Sequence, residues 1–278
     1  MISCIVCSRR PDISNRLKEN IAQTIGVEYE LIIIDNSLNR YTIFGAYNEG
    51  VRRAKGDILC FMHEDVLFHS NKWGELVENT FLDESVGVVG VLGTQFLPKT
   101  LCAWWWSGCT VGHVLQSRGK RLGRNDTYIN GNPIEQNEDA VIVDGLWYCM
   151  RKRLFDEISY DAMTYNGFHA YDHDICMQVL SIRKRVIVSS NIVIEHASEG
   201  EVGDEFLNQM QLFYKKWEHH FPIVRGVKLD DVAEQRIENV VRMLERQVRD
   251  NIRIVQSRSY KYAIMISKVI QKFRRHKI

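Results

Sequence analysis

Three polar segments follow short apolar runs of the sequence, and each carries side chains that could bind a ligand or an ion. They are Ser8-Arg9-Arg10, Asp35-Asn36-Ser37 and His63-Glu64-Asp65. In an open parallel sheet, ligands bind outside the carboxyl ends of the strands. Magnesium and manganese ions prefer oxygen ligands and are often held by one or two carboxylates together with substrate phosphates. The pattern therefore predicts a polar ligand at one sheet edge, with a divalent cation on a diphosphate as one way to satisfy the acidic groups.

Each of these residues also has an ordinary structural interpretation. The segment Asp35-Asn36-Ser37 has good turn chemistry, and Asp65 could cap the N-terminus of a helix. Further along the chain, Asp172 and Asp174 stand at the predicted start of a helix, where carboxylates stabilise the helix dipole. His196 could be a metal ligand or an ordinary histidine at a strand end.

The elements that would position these residues alternate between strand and helix in the first part of the chain. Apolar runs predict buried strands, and apolar residues at helical spacing predict the helices between them. The predicted order is strand 2–7, helix 15–25, strand 29–34, helix 41–54, strand 57–62, helix 73–81 and strand 86–92. This alternation predicts an α/β fold with a mostly parallel sheet flanked by helices.

The pattern changes twice further along. Residues 95–140 are less regular and include Trp104-Trp105-Trp106, and long irregular segments inside a domain are usually functional loops. Strands are then predicted at 140–143, 146–150, 185–188 and 192–195, and helices at 152–158 and 172–182. After residue 203 the pattern is helical, with apolar stripes over 230–255 and 260–273. We therefore predict one domain over residues 1–203 and a C-terminal helical extension over residues 204–278.

The order of the motifs resembles that of the GT-A glycosyltransferases, and of family 2 in particular. The matching segments are Cys7-Ser8, Ile34-Asp35-Asn36-Ser37, Asn48-Glu49-Gly50, Ala54-Lys55-Gly56-Asp57, Phe61-Met62-His63-Glu64-Asp65, the run from Gly167 to Cys176, and Ile194-Glu195-His196. Each motif alone is common, whereas their succession over about residues 1–200 is specific. The sequence contains neither G-x-G-x-x-G after the first strand nor G-x-x-x-x-G-K-[ST], which argues against a dehydrogenase or a P-loop enzyme.

The resemblance implies a GT-A fold and an inverting, metal-dependent transfer of a sugar from a nucleotide-sugar donor. A UDP-sugar is favoured, because a carboxylate can accept a hydrogen bond from the uracil N–H. The residues that would bind the donor nucleotide are Ser8, Arg9, Asp35, Ser37, Asn48 and Glu64. Asp65 and His196 would hold Mn²⁺ or Mg²⁺, and Asp172 would be the general base that takes the proton of the acceptor hydroxyl. Contacts with the diphosphate or with a saccharide or lipid-linked acceptor are expected from Arg118, Arg121, Asp144 and Trp147.

Two positions depart from the family pattern. His63 replaces the first acid of the Asp-x-Asp metal motif, while Asp65 keeps the last one. Tyr47 stands where an arginine often precedes the Asn-x-Gly motif, which bears on the nucleotide preference more than on the fold.

The composition is that of a globular protein. The 278 residues are 45% hydrophobic and 26% charged, with a formal net charge of +1, so neither a disordered chain nor a nucleic-acid-binding surface is expected. The seven cysteines are scattered through apolar runs, as reduced core thiols of a cytoplasmic protein would be. We expect no signal peptide and no membrane-spanning segment.

The C-terminal tail has a different charge from the rest of the chain. Residues 257–278 include seven basic residues and no acidic residue. A basic amphipathic helix of this kind could rest on an anionic membrane and hold the enzyme at the inner face of the cell membrane. The alternative is an ordinary surface helix, and the long apolar stripe before it leaves self-association open.

Other functions fit parts of the pattern. A nucleotide-sugar-binding module that has lost turnover would explain His63, whereas Asp65 and Asp172 favour an enzyme. A glycosidase would use two carboxylates about 5–10 Å apart and gives the polar strand ends no purpose. A nucleotidyltransferase would carry a glycine-rich basic loop after the first strand, where this chain has only Arg9 and Arg10.

Overall fold

A computed structural model describes residues 1–10, 15–117, 122–123, 126–198, 202–228, 231–232 and 257. The chain divides into one compact unit, Met1–Val232, and a second unit, Ala233–Ile278. In the part of the chain that is described, no helix is long and apolar enough to cross a membrane. The basic tail, Arg118, Arg121 and nearly all of the helices predicted after residue 229 lie outside the described residues.

A mostly parallel sheet forms the centre of the first unit. Among the described residues it has seven strands, in the order β10 (Glu138–Ala140), β13 (Arg185–Val188), β5 (Val86–Gly90), β12 (Trp147–Arg151), β3 (Ile58–Met62), β1 (Ile2–Ser8) and β2 (Tyr29–Asp35). Strand β12 is antiparallel to β3 and β5, and β10 is antiparallel to β13, whereas the other pairs are parallel. Because β12 runs against its neighbours, the residues that precede it lie at the edge where β1, β2 and β3 end.

A second sheet contributes to the same edge. Its described strands have the order β11 (Ile142–Val143), β6 (Leu92–Thr94), β8 (Thr110–Ser117), β14 (Ile194–His196) and β4 (Val66–Phe68), and β9 (Thr127–Asn132) pairs with β8. Strands β14 and β4 are antiparallel, with His196 opposite Val66. Since β4 begins directly after Asp65, this pairing brings His196 to the end of β3. A short separate pair joins β7 (Phe96–Leu97) and β15 (Ile223–Val224).

The helices described are α1 (Asn15–Thr24), α2 (Ile43–Arg53), α3 (Trp73–Thr80), α4 (Tyr171–Ser181) and α5 (Asp204–Lys216). Helix α1 buries Leu17 and Ile21 on one face, as its helical spacing predicts. Helix α4 differs, because nearly its whole length is buried, including the charged residues of its first turn. It therefore carries Asp172 and Asp174 into the interior instead of displaying them on the surface.

The predicted alternation of strands and helices is present, and the differences are local. The run 86–92 is two strands in different sheets, the segment 95–140 contains the hairpin of β8 and β9, and residues 152–156 form a 3₁₀ helix instead of an α-helix. Helix α5 buries Phe206, Met210 and Phe213 in the main core. The compact unit consequently runs to Val232, past the predicted boundary at residue 203.

Candidate active site

Three side chains with metal-binding atoms converge at the end of β3. His63 and Asp65 come from the segment between β3 and β4, and His196 ends β14. Nδ1 of His63 lies 3.3 Å from Nε2 of His196, and Oδ1 of Asp65 lies 3.5 Å from that Nε2 and 4.0 Å from that Nδ1. One ligand atom from each residue fits within 4.8 Å of the others. Two imidazole nitrogens and one carboxylate oxygen are a donor set for a divalent cation.

Neighbouring groups orient this cluster. The Tyr171 hydroxyl lies 2.9 Å from Nε2 of His63, and the Ser198 backbone N–H donates to Oδ2 of Asp65 at 2.9 Å. Burial and the nearby His196 lower the pKa of His63 to about 4, so its imidazole is neutral at pH 7. Burial opposes the charge of Asp65, but His196, His63 and Ser198 outweigh it and hold the pKa of Asp65 below its usual range. The cluster therefore offers lone pairs and one negative charge at neutral pH.

The carboxylate of Asp172 is held rigidly beside this cluster. Its Oδ1 accepts the backbone N–H and the ring Nδ1–H of His173, both at 2.8 Å, and its Oδ2 accepts the Gly145 N–H at 3.0 Å. Burial opposes its charge, but these donors and His173 outweigh burial, so the pKa of Asp172 is lowered. A Cβ at position 145 would collide with the Tyr171 hydroxyl, so any larger residue there would displace the Tyr171 ring. Asp172 is thus an ionised, almost fully buried carboxylate.

A second carboxylate lies on the other side of Gly145. Oδ1 of Asp144 accepts the Leu146 N–H at 2.8 Å, and the side chain is only partly exposed. Burial, and then the negative charge of Asp172, raise the pKa of Asp144 to about 6. The site therefore contains two carboxylates of opposite tendency, one held ionised and one that takes up a proton in mildly acidic solution.

The expected donor-binding residues occupy the neighbouring strand ends. The Ser8 hydroxyl is buried and hydrogen bonded to the Glu64 carboxylate, which also pairs with Arg10 at 3.2 Å. Asp35 is exposed and accepts the Ser37 backbone N–H at 2.9 Å, a contact that lowers the pKa of Asp35. Ser8 and Asp35 face each other in the register of β1 and β2, so these groups do share one edge.

The structure also gives the positions of Arg9, Asn48 and Trp147, three other residues with predicted contacts. Arg9 is exposed, with its guanidinium 5.1 Å from the centre of the Phe168 ring. Asn48 uses both polar atoms of its side chain on the Tyr160 backbone, at 2.7 and 3.1 Å, so it joins α2 to that segment. The position of Trp147 does not support an acceptor contact, because the residue is fully buried between Trp73 and Phe68.

The sequence reasoning missed several residues of the site. It treated His63 as a weakened metal position, although the imidazole supplies a third ligand atom. The signal was available in the motif, because His63 stands two residues before Asp65 and histidine is a common metal ligand. No local pattern indicated Tyr171 or Ser198, whose contacts with His63 and Asp65 depend on long-range packing. His173 was also missed, although it contacts the adjacent Asp172.

Comparisons with known proteins show the family and the fold of this chain. A family model described as a glycosyltransferase-like family matches residues 3–212. A search of curated proteins finds no match. The structure of GalNAc-T7 with UDP, GalNAc and Mn²⁺ aligns with a TM-score of 0.54 at 12% identity, over 86% of this chain and 54% of that one. This chain thus spans about half the length of that neighbour.

Two further structures show weaker similarity. Residues 1–349 of TarS from S. aureus align with a TM-score of 0.48 at 14% identity, over 86% of this chain and 70% of that one. The mannosyltransferase PcManGT from Pyrobaculum calidifontis, in complex with GDP-Man and Mn²⁺, aligns with a TM-score of 0.46 at 11% identity, over 94% of this chain and 82% of that one. Since the family match spans most of the sequence, the chain belongs to the glycosyltransferase-like family.

Proposed function

We propose that this chain is an inverting glycosyltransferase that moves a sugar from a UDP-sugar to a hydroxyl of a saccharide or lipid-linked saccharide, with Mn²⁺ or Mg²⁺ as cofactor. The observation that carries the proposal is the cluster of His63, Asp65 and His196 at the sheet edge that also holds Ser8 and Asp35. The atom types and spacing of the cluster fit a divalent cation. When bound, such a cation supplies positive charge that stabilises the departing nucleoside diphosphate.

The strand ends would bind the nucleotide. Asp35 is exposed and its Oδ1 accepts the Ser37 N–H, and the same carboxylate would also accept the uracil N–H. The neighbouring Ser8 and Glu64 would contact the ribose after exchanging their mutual hydrogen bond for one to a hydroxyl. The presence of UDP and Mn²⁺ in the GalNAc-T7 structure supports this choice of nucleotide and ion.

Asp172 would take the proton of the acceptor hydroxyl. Within the described part of the chain, its Oδ2 accepts one hydrogen bond, from the Gly145 N–H, and so keeps a lone pair for an incoming proton. The hydroxyl oxygen would attack the anomeric carbon as the proton passes to Oδ2, and attack from the face opposite the leaving group inverts that carbon. A positioned general base contributes about 10²–10⁴-fold to such a step.

The first experiment is calorimetric titration of UDP into the full chain, with and without Mn²⁺, for the wild type and Asp65→Ala. We expect Mn²⁺-dependent binding that the variant loses. A panel of UDP-sugars is then assayed for hydrolysis and transfer, with Asp172→Asn as the base variant. Loss of turnover with retained UDP binding in Asp172→Asn supports the assigned base.

Different failures point to different alternatives. Absence of UDP binding under both conditions contradicts the uridine assignment, and GDP and dTDP are titrated next. Binding of UDP without turnover of any UDP-sugar favours the nucleotide-sugar-binding module. Full turnover by Asp172→Asn contradicts the assigned base.

A further inference from the structure

A buried histidine directly follows the proposed base and has no assigned role. His173 is 2% exposed. Its Nδ1 lies 2.8 Å from Oδ1 of Asp172, and its own backbone N–H donates to the same oxygen at 2.8 Å. The carboxylate therefore accepts two of its three hydrogen bonds from a single neighbour.

The other ring nitrogen of His173 shows which role the residue can have. Nε2 is buried and has no hydrogen-bond partner among the residues that the structure describes, and the ring lies edge-on to Phe213, with centroids 5.2 Å apart. Because Nδ1 faces a carboxylate oxygen, which can only accept, the geometry assigns to Nδ1 the proton of this hydrogen bond. With Nε2 enclosed, the imidazole cannot exchange protons with a substrate and is not itself the base.

A buried nitrogen without a hydrogen-bond partner lowers the stability of the folded protein. A residue of similar shape without that nitrogen, such as phenylalanine, would avoid the penalty. Only the Nδ1–H contact offsets this cost, and that contact acts on Asp172. Buried polar groups without a hydrogen-bond partner are few in native proteins, and a functional role is one reason why they are kept.

We propose that His173 is a positioning residue, whose Nδ1–H keeps the Asp172 carboxylate ionised and turned so that Oδ2 faces the acceptor hydroxyl. The proposal rests on the proposed function for its catalytic consequence, but not for its effect on Asp172 itself. The second oxygen is held from the opposite side by the Gly145 N–H, so the carboxylate cannot rotate without breaking hydrogen bonds at both ends.

Other titratable groups also act on Asp172 and must be separated from His173 in any pH experiment. They lie on the neighbouring elements and are Asp144, His63, Tyr47, Tyr160, Tyr171 and Cys176. Burial raises the pKa values of the three tyrosines and the cysteine, so these four stay neutral. Asp144 is the group that changes charge near pH 6, and each variant is therefore measured again with Asp144→Asn.

The test compares two substitutions of different donor capacity. His173→Phe keeps a ring and removes the Nδ1–H, whereas the side-chain amide of His173→Asn can occupy the position of Nδ1 and donate. The carboxyl carbon of Asp172 is followed by ¹³C NMR during a pH titration, with its signal assigned by its absence in Asp172→Asn. A hydrogen bond donated to an ionised carboxylate lowers the pKa of that carboxyl group by about one unit or more. We expect His173→Phe to raise the pKa of Asp172 by at least that much. In His173→Asn the pKa of Asp172 should stay close to its wild-type value, because the amide still donates.

The catalytic consequence is read from the pH profile of UDP-sugar hydrolysis. We expect kcat of His173→Phe to fall about 10–100-fold with its acidic limb displaced upward, while the KM for the UDP-sugar changes little. A residue with only a packing role would lower the melting temperature and leave the titration of Asp172 unchanged. If His173→Phe does not fold, His173→Gln replaces it, because a glutamine amide reaches the position of Nε2 and not that of Nδ1.

The outcomes separate this proposal from the proposed function. An unchanged Asp172 titration in His173→Phe overturns the positioning role, whatever the activity. The positioning role is also overturned if the pKa of Asp172 rises equally in His173→Phe and His173→Asn. If the titration moves as expected but Asp172→Asn retains full turnover, the proposed base is wrong, whereas His173 still controls the ionisation of Asp172.

Discussion

The sharpest prediction concerns the negative charge of the metal cluster. Asp65→Asn removes that charge and keeps an oxygen that can accept the Ser198 N–H now received by Oδ2 at 2.9 Å. The variant is therefore expected to fold in the absence of metal, within about 1 kcal/mol of the wild type. In contrast, Asp65 is the one anionic member of the cluster, so we expect Mn²⁺ affinity to fall at least about 100-fold, the upper end of the loss caused by removing a residue that only supports a ligand.

The expected effect on stability follows from linkage. At a Mn²⁺ concentration 100 times the wild-type dissociation constant, binding stabilises the folded state by about 2.7 kcal/mol. The same concentration stabilises a variant with 100-fold weaker binding by about 0.4 kcal/mol. At about 2–4 °C per kcal/mol for a protein of this size, the wild-type melting temperature should rise by about 5–10 °C and that of Asp65→Asn by about 1 °C.

The assay is thermal unfolding followed by circular dichroism, with and without MnCl₂, together with calorimetric titration of Mn²⁺. Glu64→Gln is the matched control, because Glu64 is the adjacent carboxylate of the same segment and pairs with Ser8 and Arg10 outside the cluster. The control should keep the full Mn²⁺-dependent rise. The assignment of the metal ligands would be refuted if Mn²⁺ raised the melting temperature of Asp65→Asn as much as that of the wild type. It would also be refuted if Glu64→Gln lost this rise to the same extent as Asp65→Asn.

Three further predictions test other parts of the site. His63→Asp replaces a nitrogen ligand by an oxygen, and since Mg²⁺ prefers oxygen ligands, calorimetry should show Mg²⁺ affinity rising relative to that of Mn²⁺; an unchanged ratio would contradict ligation by His63. Lys216→Met leaves the buried Asp174 without its cation, now 2.8 Å away, and should lower the urea-unfolding free energy by about 2 kcal/mol, whereas the exposed neighbour Lys215→Met should leave it nearly unchanged. Folding raises the pKa of Asp144 to about 6, so the neutral acid favours the folded state, and stability should decline between about pH 4 and pH 6 as it ionises. Urea midpoints across this range should show a smaller decline in Asp144→Asn, and an equal decline would exclude Asp144 as its source.

Several features of the site could be predicted because they depend on local pattern. Apolar runs that end in polar residues indicate where strands stop, and the parallel sheet then brings Ser8 and Asp35 to one edge. The prediction of metal binding for Asp65 and His196 has the same basis, together with the family resemblance. Their roles as ligands stay predictions until a metal is titrated.

Other features could not be predicted because they depend on contacts between distant parts of the chain. Trp147 was expected at the acceptor, but a tryptophan in an apolar strand can face a cleft or the core, and here α3 and β4 enclose it. Asn48 belongs to a family motif, yet its amide bonds to the Tyr160 backbone, which is 112 residues away. A polar residue in a motif does not reveal which of its neighbours will use its hydrogen bonds.

The sequence by itself determined the succession of strands and helices and the polar residues at the strand ends, because side-chain periodicity and strand ends are local properties. Only the tertiary structure decided that His63 and His196, 133 residues apart, face each other at 3.3 Å, and that three N–H groups hold Asp172 as a buried anion. The antiparallel pairing of β14 with β4 and the burial of α4 create those contacts. Strand pairing and burial depend on the whole core, so no short stretch of sequence encodes them.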